Sequence, residues 1–388
     1  MPKPNPAYYS PAHEDFRQLV RRFVEREIMP NVNEWEEAEG FPRSLYEKAA
    51  AAGLLGLGFP EEFGGTPEVD AFYHLIAAEE MARAGSGGVI ASLMSHSIGA
   101  PPIVFAGSEE LQRRVLPDII AGRKISALAI TEPGGGSDVA ALKTRARREG
   151  DHYVVDGEKI FITSGMRADY FTVAVRTDAG ARGADGVSLL LIERDAPGFT
   201  RTPLKKMGWW ASDTAQLRFD ACRVPAANLI GQEGRGFRLI MRNFNLERFS
   251  LAAGAWGFAK VCHEDALCWA RERQTFGKRL VEHQAVSHKL IDMATRIEAT
   301  RALLEDVAWR LTDPAQQGGE LVAMICMLKN MATRTMQFCA DAAVQTLGGM
   351  GFMRGTRAER IYRDVKVNMI GGGAEEIMKD LAARQLGY

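Results

Sequence analysis

The sequence lacks several features that would point to a particular class of protein. Its 5 cysteines are scattered without a C-x-x-C pair, so neither a disulfide framework nor a zinc site is expected. Lys and Arg number 48 against 49 Asp and Glu, and this balance creates no field that would attract nucleic acid or anionic lipid. No apolar run approaches the roughly 20 residues that span a bilayer, and the start resembles neither a signal nor a transit peptide. We therefore expect a cytoplasmic protein that binds neither nucleic acid nor membrane.

The hydrophobic pattern changes twice along the 388 residues, and this length is sufficient for two or three domains. Residues 1–124 repeat apolar side chains at helical spacing. Residues 125–235 contain short β-type runs, such as Tyr170–Val175 and Val187–Ile192, between Gly, Pro and Asp turns. Residues 236–388 return to long helical patterns that favour an antiparallel bundle. Strands grouped between helical segments predict an α+β protein with a separate β domain.

A glycine-rich turn follows the first predicted strand of the middle segment. The alternation of Ile125, Ala127 and Ala129 predicts a strand, which Pro133 ends. The glycines of Gly134–Gly136 let backbone N–H groups face a bound anion without interference from Cβ atoms. A single turn of this kind is usually only a connection, so its meaning depends on what accompanies it.

Two further strands are predicted around Tyr153–Val155 and Ile160–Thr163. Asp156-Gly157 between them is a strong hairpin signal. The second strand ends in Phe161-Ile162-Thr163, which places an aromatic ring and a hydroxyl on one face. Trp209-Trp210, near the end of the middle segment, suits either an aromatic clamp on a ring system or a seal between domains.

The combination of Thr-Glu-Pro-Gly-x-Gly-Ser-Asp at 131–138 with Phe-Ile-Thr at 161–163 resembles the acyl-CoA dehydrogenase family of flavoproteins. That family carries T-E-P-x-x-G-S-D and a W-I-T or F-I-T triplet at this spacing, on a small β-barrel that faces a flavin. The resemblance covers nearly the whole chain. It implies an N-terminal helical domain (1–124), a middle β-barrel domain (125–235), a C-terminal helical bundle (236–388), FAD as cofactor and assembly into a homotetramer.

Two motifs of the C-terminal third resemble the same family. Arg271–Lys278 is similar to R-x-T-F-G, whose arginine, here Arg273, reaches the flavin diphosphate of a neighbouring subunit, and a guanidinium suits bidentate phosphate contact. Gln345–Gly351 matches Q-x-x-G-G-x-G. Alone, each would be a surface charge or a helix connector, but their order together favours a cofactor site. The resemblance implies cofactor contacts from Ile130, Thr131, Gly136, Ser137, Phe161, Thr163, Arg273, Thr275, Phe276, Gln284, Gln345, Gly348, Gly349 and Glu376.

The chain departs from the best-known members at the catalytic base. Their catalytic Glu lies in a Tyr-Glu-Gly-Thr segment near the C-terminus, and the matching position here is Gly372. The isovaleryl-CoA and long-chain subgroups carry the base in an L-E-R or similar segment, which matches Glu247 in Leu246-Glu247-Arg248. The resemblance therefore implies membership of that subgroup, with Glu247 as a relocated base.

Other interpretations of these carboxylates stay open in the sequence. Glu247 and Arg248 would ordinarily be a solvated pair at the start of a long helix. Glu375 and Glu376 are competing carboxylates, although acidic residues at a helix start are adequately explained by the helix dipole. Burial beside a flavin and an acyl chain should raise the pKa of Glu247. Arg248 should point to a neighbouring segment, since adjacent helix residues do not share a face.

The resemblance implies FAD-dependent α,β-dehydrogenation of an acyl-CoA to a trans-2-enoyl-CoA, with a branched or bulky acyl chain and an electron-transfer flavoprotein as electron acceptor. The backbone N–H of Gly372 would donate to the thioester oxygen, the oxygen on which charge develops. An acyl-CoA oxidase or flavin monooxygenase on the same fold, and a flavin-binding assembly protein without catalysis, are the alternatives. The implied substrate contacts are Ser137, Asn245, Arg248, Gly372 and Gly373.

Overall fold

The computed structural model describes residues 7–178, 180–181 and 183–388. Along the chain, helical N- and C-terminal parts precede and follow a β-sheet, which confirms the predicted α+β class. The N-terminal helices are α1 (Pro11–Phe23), α2 (Val32–Glu37), α3 (Ser44–Ala51), α4 (Ala71–Ala82), α5 (Gly87–Leu93), α6 (His96–Gly99), α7 (Pro101–Ala106) and α8 (Glu109–Ile120). Their starts follow local sequence: Ser10 and Asp70 cap α1 and α4 by accepting the N–H groups of His13 and Phe72.

The middle segment forms a mixed sheet. Its strands are β1 (Ser126–Ala129), β2 (Arg145–Glu149), β3 (His152–Thr163), β4 (Tyr170–Arg176), β5 (Val187–Glu193), β6 (Phe199–Pro203), β7 (Thr214–Pro225) and β8 (Leu229–Ile230). They pair in the order β6-β7-β3-β2-β4-β5-β8, and β1 pairs with β4 in parallel. Among the described strands β6 pairs only with β7 and β8 only with β5, so the sheet is open and not the closed barrel expected from the family resemblance.

The hairpin predicted at Asp156-Gly157 is wrong. β3 continues through both residues, and the reversal lies earlier, at Gly150-Asp151 between β2 and β3. The register between β3 and β7 shifts at Gly157, which has φ +144°, as in a β-bulge. Asp156 Oδ1 accepts the N–H of Ala221 on β7 at 2.9 Å. The Asp-Gly pair therefore forms a bulge in β3 opposite β7 and does not reverse the direction of the chain.

Long helices form the C-terminal part, as predicted. They are α9 (Gly236–Glu272), α10 (Gln284–Thr312), α11 (Gly319–Leu347), α12 (Gly349–Phe352), α13 (Arg357–Ile370) and α14 (Glu375–Leu386), and the hairpin of β9 (Gln274–Thr275) and β10 (Lys278–Arg279) joins α9 to α10. Trp256 on α9 donates to the Ile297 carbonyl of α10 at 3.1 Å, and Thr300 on α10 bonds Thr335 of α11 at 2.9 Å. Because successive helices are antiparallel, the C-terminal ends of α9 and α11 share one end of the bundle. Glu247 lies well inside α9, not at the start of a helix as the sequence suggested.

Asp364 on α13 joins all three parts of the chain. Its buried carboxylate accepts the N–H of Gly87 at 2.9 Å and the N–H of Trp209 at 2.6 Å. Burial raises the pKa of Asp364 to about 7. Trp210 stacks beneath the guanidinium of Arg363 at 3.6 Å. The two tryptophans therefore pack at the junction of the three parts.

Within the described residues no single helix has the length and apolar character to cross a bilayer, while the bent pair Gly87–Leu93 and His96–Ala106 meets both criteria only as a unit.

Candidate active site

The carboxylate of Glu247 is enclosed and lacks a hydrogen-bonding partner. The residue as a whole is half-buried, but its Oε2 atom is buried, and no donor in the described part of the chain reaches it. Burial raises the pKa of Glu247 to about 7, against the opposing charges of Arg248 and Lys329. This burial agrees with the pKa rise predicted from the sequence and argues against an ordinary solvated Glu-Arg pair.

Gly372 lies directly beside this carboxylate. A Cβ atom built on Gly372 would stand 4.0 Å from Glu247 Oε1 and 2.6 Å from Cδ1 of Leu251. The backbone at Gly372 has φ +66°, a conformation that side chains other than glycine rarely adopt. The Cβ position of Gly372 and the carboxylate of Glu247 therefore border the same space.

Arg248 points to a neighbouring segment, as predicted. Its Nε donates to the carbonyl of Gly372 at 3.0 Å, and its guanidinium lies 5.4 Å from the ring of Phe244. The side chain is buried, so a direct contact between Arg248 and a substrate stays a prediction. The N–H of Gly372 bonds to no acceptor among the residues that the structure covers.

Sequence reasoning missed Lys329. This lysine on α11 is 0% exposed, and its Nζ donates to the carbonyl of Gly373 at 2.6 Å and to that of Met369 at 3.4 Å. Burial lowers the pKa of Lys329 to about 8. The available signal was one lysine in the most apolar long helix, a position that an amphipathic pattern does not explain.

The competing carboxylates have other partners or surroundings. Glu375 accepts from Arg334 at 2.7 Å, and Glu376 is exposed. Both occupy the first turn of α14, where acidic side chains complement the helix dipole. A cofactor contact from Glu376 stays a prediction. Of these carboxylates, Glu247 is the one that is enclosed without a cation bonded to it.

The predicted glycine-rich turn is exposed to solvent. A buried ion pair between Glu132 and Lys159 anchors its first residues. Glu132 accepts from Lys159 Nζ at 2.8 Å and from the N–H of Thr144 at 2.9 Å. None of Gly134–Gly136 has a positive φ, and a Cβ there would come no nearer than 3.4 Å to another atom. The fold of the chain itself does not require these glycines, and their contact with a bound anion stays a prediction. Gly136 and Ser137 are exposed, so a ligand can reach them from solvent.

The Phe-Ile-Thr triplet lies beside this turn. The N–H of Ile160 donates to the carbonyl of Thr131 at 2.9 Å, and Lys159 Nζ donates to that of Ile130 at 3.0 Å. Phe161 has φ +62° and is 66% exposed, which combines backbone strain with an uncovered aromatic ring. The hydroxyls of Thr131 and Thr163 find no partner among the described side chains and carbonyls. The exposed ring of Phe161 and the half-buried hydroxyls of Thr131 and Thr163 form one hydrogen-bonding surface, which we call the sheet surface.

The remaining cofactor candidates gather at the shared end of α9 and α11. Arg273 follows α9, and Phe276, with φ +50°, is 97% exposed at the tip of the β9–β10 hairpin. Thr275 bonds His283 at 3.3 Å, immediately before α10. No hydrogen bond or ring contact links this bundle end to the sheet surface within the described chain. The exposed members of the group are Arg273, Phe276, Gln284, Gln345, Gly348 and Gly349.

A basic cavity lies at the other end of α9. It has a volume of about 540 Å³ and is lined by Ala106, Gly231, Gln232, Arg235, Arg238 and Leu239. Arg235 and Arg238 are exposed and flank the first turn of α9, where backbone N–H groups also favour anions. Glu247 lies on the same helix.

Comparison with known proteins shows which family this chain belongs to. The models of the acyl-CoA dehydrogenase N-terminal, middle and C-terminal domains match residues 10–123, 127–222 and 234–387. A pig mitochondrial long-chain specific acyl-CoA dehydrogenase is 37% identical, over 97% of this chain and 87% of its own. The chain belongs to the acyl-CoA dehydrogenase family. Such enzymes are FAD-dependent oxidoreductases.

Further members of the acyl-CoA dehydrogenase family resemble this one over most of their length. A cyclohexane-1-carbonyl-CoA dehydrogenase of Geobacter metallireducens is 38% identical over 86% of each chain. The crystal structure of a putative acyl-CoA dehydrogenase from Mycobacterium smegmatis has a TM-score of 0.94 and 45% identity, covering 98% of this chain and 99% of that one. A glutaryl-CoA dehydrogenase from the same organism, solved with FADH2, has a TM-score of 0.89 and 27% identity, covering 98% and 96%.

The residues of this acyl-CoA dehydrogenase fit the cofactor of its family. The sheet surface offers an uncovered aromatic ring at Phe161 and unpartnered hydroxyls at Thr131 and Thr163 to a planar, hydrogen-bonding ring system. The bundle end offers the exposed guanidinium of Arg273 and open backbone at Gly348, where a Cβ would meet nothing within 4 Å. These are donors and surfaces for an aromatic ring and a diphosphate.

Proposed function

We propose that this enzyme oxidises the Cα–Cβ bond of an acyl-CoA thioester to the trans-2-enoyl-CoA, with Glu247 as the general base. The observation that carries the proposal is the enclosed Glu247 carboxylate, whose Oε1 lies 4.0 Å from the Cβ position of Gly372. A carboxyl group whose pKa lies near 7 is well matched to proton abstraction at neutral pH. Bound FAD supplies the hydride acceptor for the β-hydrogen.

The thioester oxygen gains negative charge as Glu247 removes the α-proton. The free N–H of Gly372 is a donor beside that carboxylate, while Arg248 holds the Gly372 carbonyl and Lys329 holds the Gly373 carbonyl. A donor aimed at developing charge lowers the barrier. A glycine at 372 can therefore contribute through its backbone while Glu247 supplies the carboxylate.

The basic cavity is our proposed site for the phosphates of CoA. Arg238 and Glu247 are separated by about 13 Å along α9, at 1.5 Å per residue, which is a span suited to an extended pantetheine arm. Guanidinium groups and a helix N-terminus both stabilise phosphate. Ser137, Asn245 and Gly373 are proposed contacts along the arm and the thioester.

The exposed bundle end supports a cofactor site completed by a second copy of the chain, and we propose a homotetramer. Phe276 and Phe352 are 97% and 84% exposed beside the proposed diphosphate contacts. Large apolar side chains left open in this way commonly mark an interface. Sedimentation of the FAD-loaded protein tests the assembly, and a monomer that retains FAD would contradict it.

Anaerobic titration with a panel of acyl-CoA thioesters tests the function. We expect the flavin absorbance to bleach, most readily with a branched or bulky acyl group, as in the subgroup that carries the base at the position of Glu247. An electron-transfer flavoprotein should then accept the electrons. Peroxide formed in air at the rate of turnover would instead indicate an oxidase, and a yellow protein that no thioester bleaches would contradict catalysis altogether.

A further inference from the structure

Lys329 holds both ends of the glycine turn that faces Glu247. Met369 belongs to the last turn of α13, and Gly373 is the last residue of the glycine turn. The ammonium group of Lys329 donates to both carbonyls, at 3.4 and 2.6 Å. Carbonyls at a helix C-terminus lack intrahelical partners, and a cation stabilises them. The turn of Gly371–Gly373 is thereby closed around a positive charge.

A buried lysine is a costly way to join two carbonyls. Lys329 is 0% exposed, and no carboxylate of the described chain lies within ion-pair distance of it. Removing an ammonium group from water without an ionic partner is strongly unfavourable. A neutral donor would close the same turn at lower cost, so the charge itself needs a reason.

The reason lies in what surrounds the turn. The charge of Lys329 acts on Glu247 and favours its ionised form, while burial disfavours it. Arg248 also acts on Glu247, but its hydrogen bond goes to the Gly372 carbonyl between the two carbonyls that Lys329 holds. With its carbonyl bound in this way and φ at +66°, Gly372 keeps its N–H free.

We propose that Lys329 is a positioning residue of the active site, which fixes the Gly372 peptide by holding Met369 and Gly373 and keeps a positive charge in the field of Glu247. This inference rests on the proposed function. Lys329 touches no reacting atom and acts through the turn and through the carboxylate.

The proposal separates two effects that different substitutions remove. Lys329→Met removes the charge and the hydrogen bonds, whereas Lys329→Gln keeps a donor and removes only the charge. Without the charge, the pKa of Glu247 rises further, so both variants should need a higher pH for activity. Without the donor, Gly372 loses its fixed orientation, so the Met variant alone should also lose rate on the high-pH plateau.

The test uses FAD-loaded wild type and variants with phenylacetyl-CoA, which carries α-protons but no β-hydrogen, in D2O. Exchange of the α-protons, followed by NMR from pH 5 to 9, measures proton abstraction without flavin reduction. We expect the acidic limb to move to higher pH in both variants, with a roughly tenfold loss of rate below the limb for each pKa unit moved. Melting temperature and FAD content are measured in parallel.

Arg334→Met is the matched control, because it removes a cation of the same helix that bonds Glu375 and neither turn carbonyl. Its acidic limb should coincide with that of wild type. If wild type exchanges but neither Lys329 variant moves the limb, the positioning role is wrong, even where melting temperature falls. If wild type itself shows no exchange above a Glu247→Gln sample, the proposed function fails first.

Discussion

Glu247→Gln separates two consequences of burying one carboxylate. The amide has the same shape but can neither ionise nor accept the α-proton. We expect FAD to remain bound, because none of the proposed cofactor contacts involves residue 247, and we expect bleaching by acyl-CoA to be lost. The same burial predicts that this inactive variant is the more stable protein at neutral and higher pH.

The size of the stability gain follows from the pKa. The folded protein raises the pKa of Glu247 from 4.5 to about 7, so the folded state binds the proton more tightly than the unfolded chain. Wild-type stability from this group is complete below pH 4.5 and is lost as pH rises through 7. At about 1.4 kcal/mol per pKa unit, the loss is about 3 kcal/mol, an upper bound because the residue is only half-buried. Glutamine avoids this loss, which corresponds to about 4 °C in melting temperature for a chain of this length.

Melting curves of the FAD-loaded wild type and variant at pH 5 and pH 8 measure this difference. From pH 5 to pH 8 the melting temperature of the Glu247→Gln variant should rise relative to that of wild type. The melting temperature of Glu47→Gln, at an exposed site on α3, should not. Comparison of the two proteins at each pH cancels the contribution of Asp364, which also titrates near 7. Equal melting differences at both pH values would refute the buried-carboxylate argument. Full flavin reduction by the variant would refute the assignment of the base.

Three further substitutions test other parts of the site. Arg238→Glu should raise KM for the CoA thioester about tenfold or more with little change in kcat, since a charged hydrogen bond contributes about 1.5–3 kcal/mol, and initial rates at low and high salt check this. Gly372→Ala should lower melting temperature and kcat together, because its Cβ overlaps Leu251 and the left-handed backbone adds about 1–3 kcal/mol of strain. Arg273→Met should lose FAD during gel filtration while keeping its secondary structure by circular dichroism, with Arg273→Lys intermediate.

Local sequence patterns predicted the elements whose structure is decided locally. Asp70 caps α4 as expected, and the long helical patterns of the C-terminal third became the bundle. The Asp156-Gly157 signal failed because pairing with β7 decides the conformation there: the Asp156 carboxylate bonds a residue that lies 65 positions away. A two-residue signal carries no information about that distant strand.

The residues of the candidate site also divide into those that a local motif identifies and those that depend on distant parts of the chain. Glu247 was found because its motif is contiguous, and its enclosure agrees with the expected rise in pKa. Lys329 could not be found, since its partners Met369 and Gly373 lie 40 and 44 positions further along the chain. The closure of the sheet was also beyond local patterns, because it depends on whether β6 and β8 meet across the domain.

The space around Gly372 has room for one carboxylate and not for two. A glutamate at 372 would start 4.0 Å from the Glu247 carboxylate and overlap Leu251, so two acidic groups would compete for one enclosed space. Two carboxylates in one enclosed space push one pKa strongly upward, and one of them would be held protonated. Under the proposed assignment of Glu247 as the base, glycine at 372 therefore does more than lack a carboxylate. Glycine leaves room for the Glu247 carboxylate. It also adopts the left-handed backbone conformation with its N–H free, which a residue with a side chain would adopt only with strain.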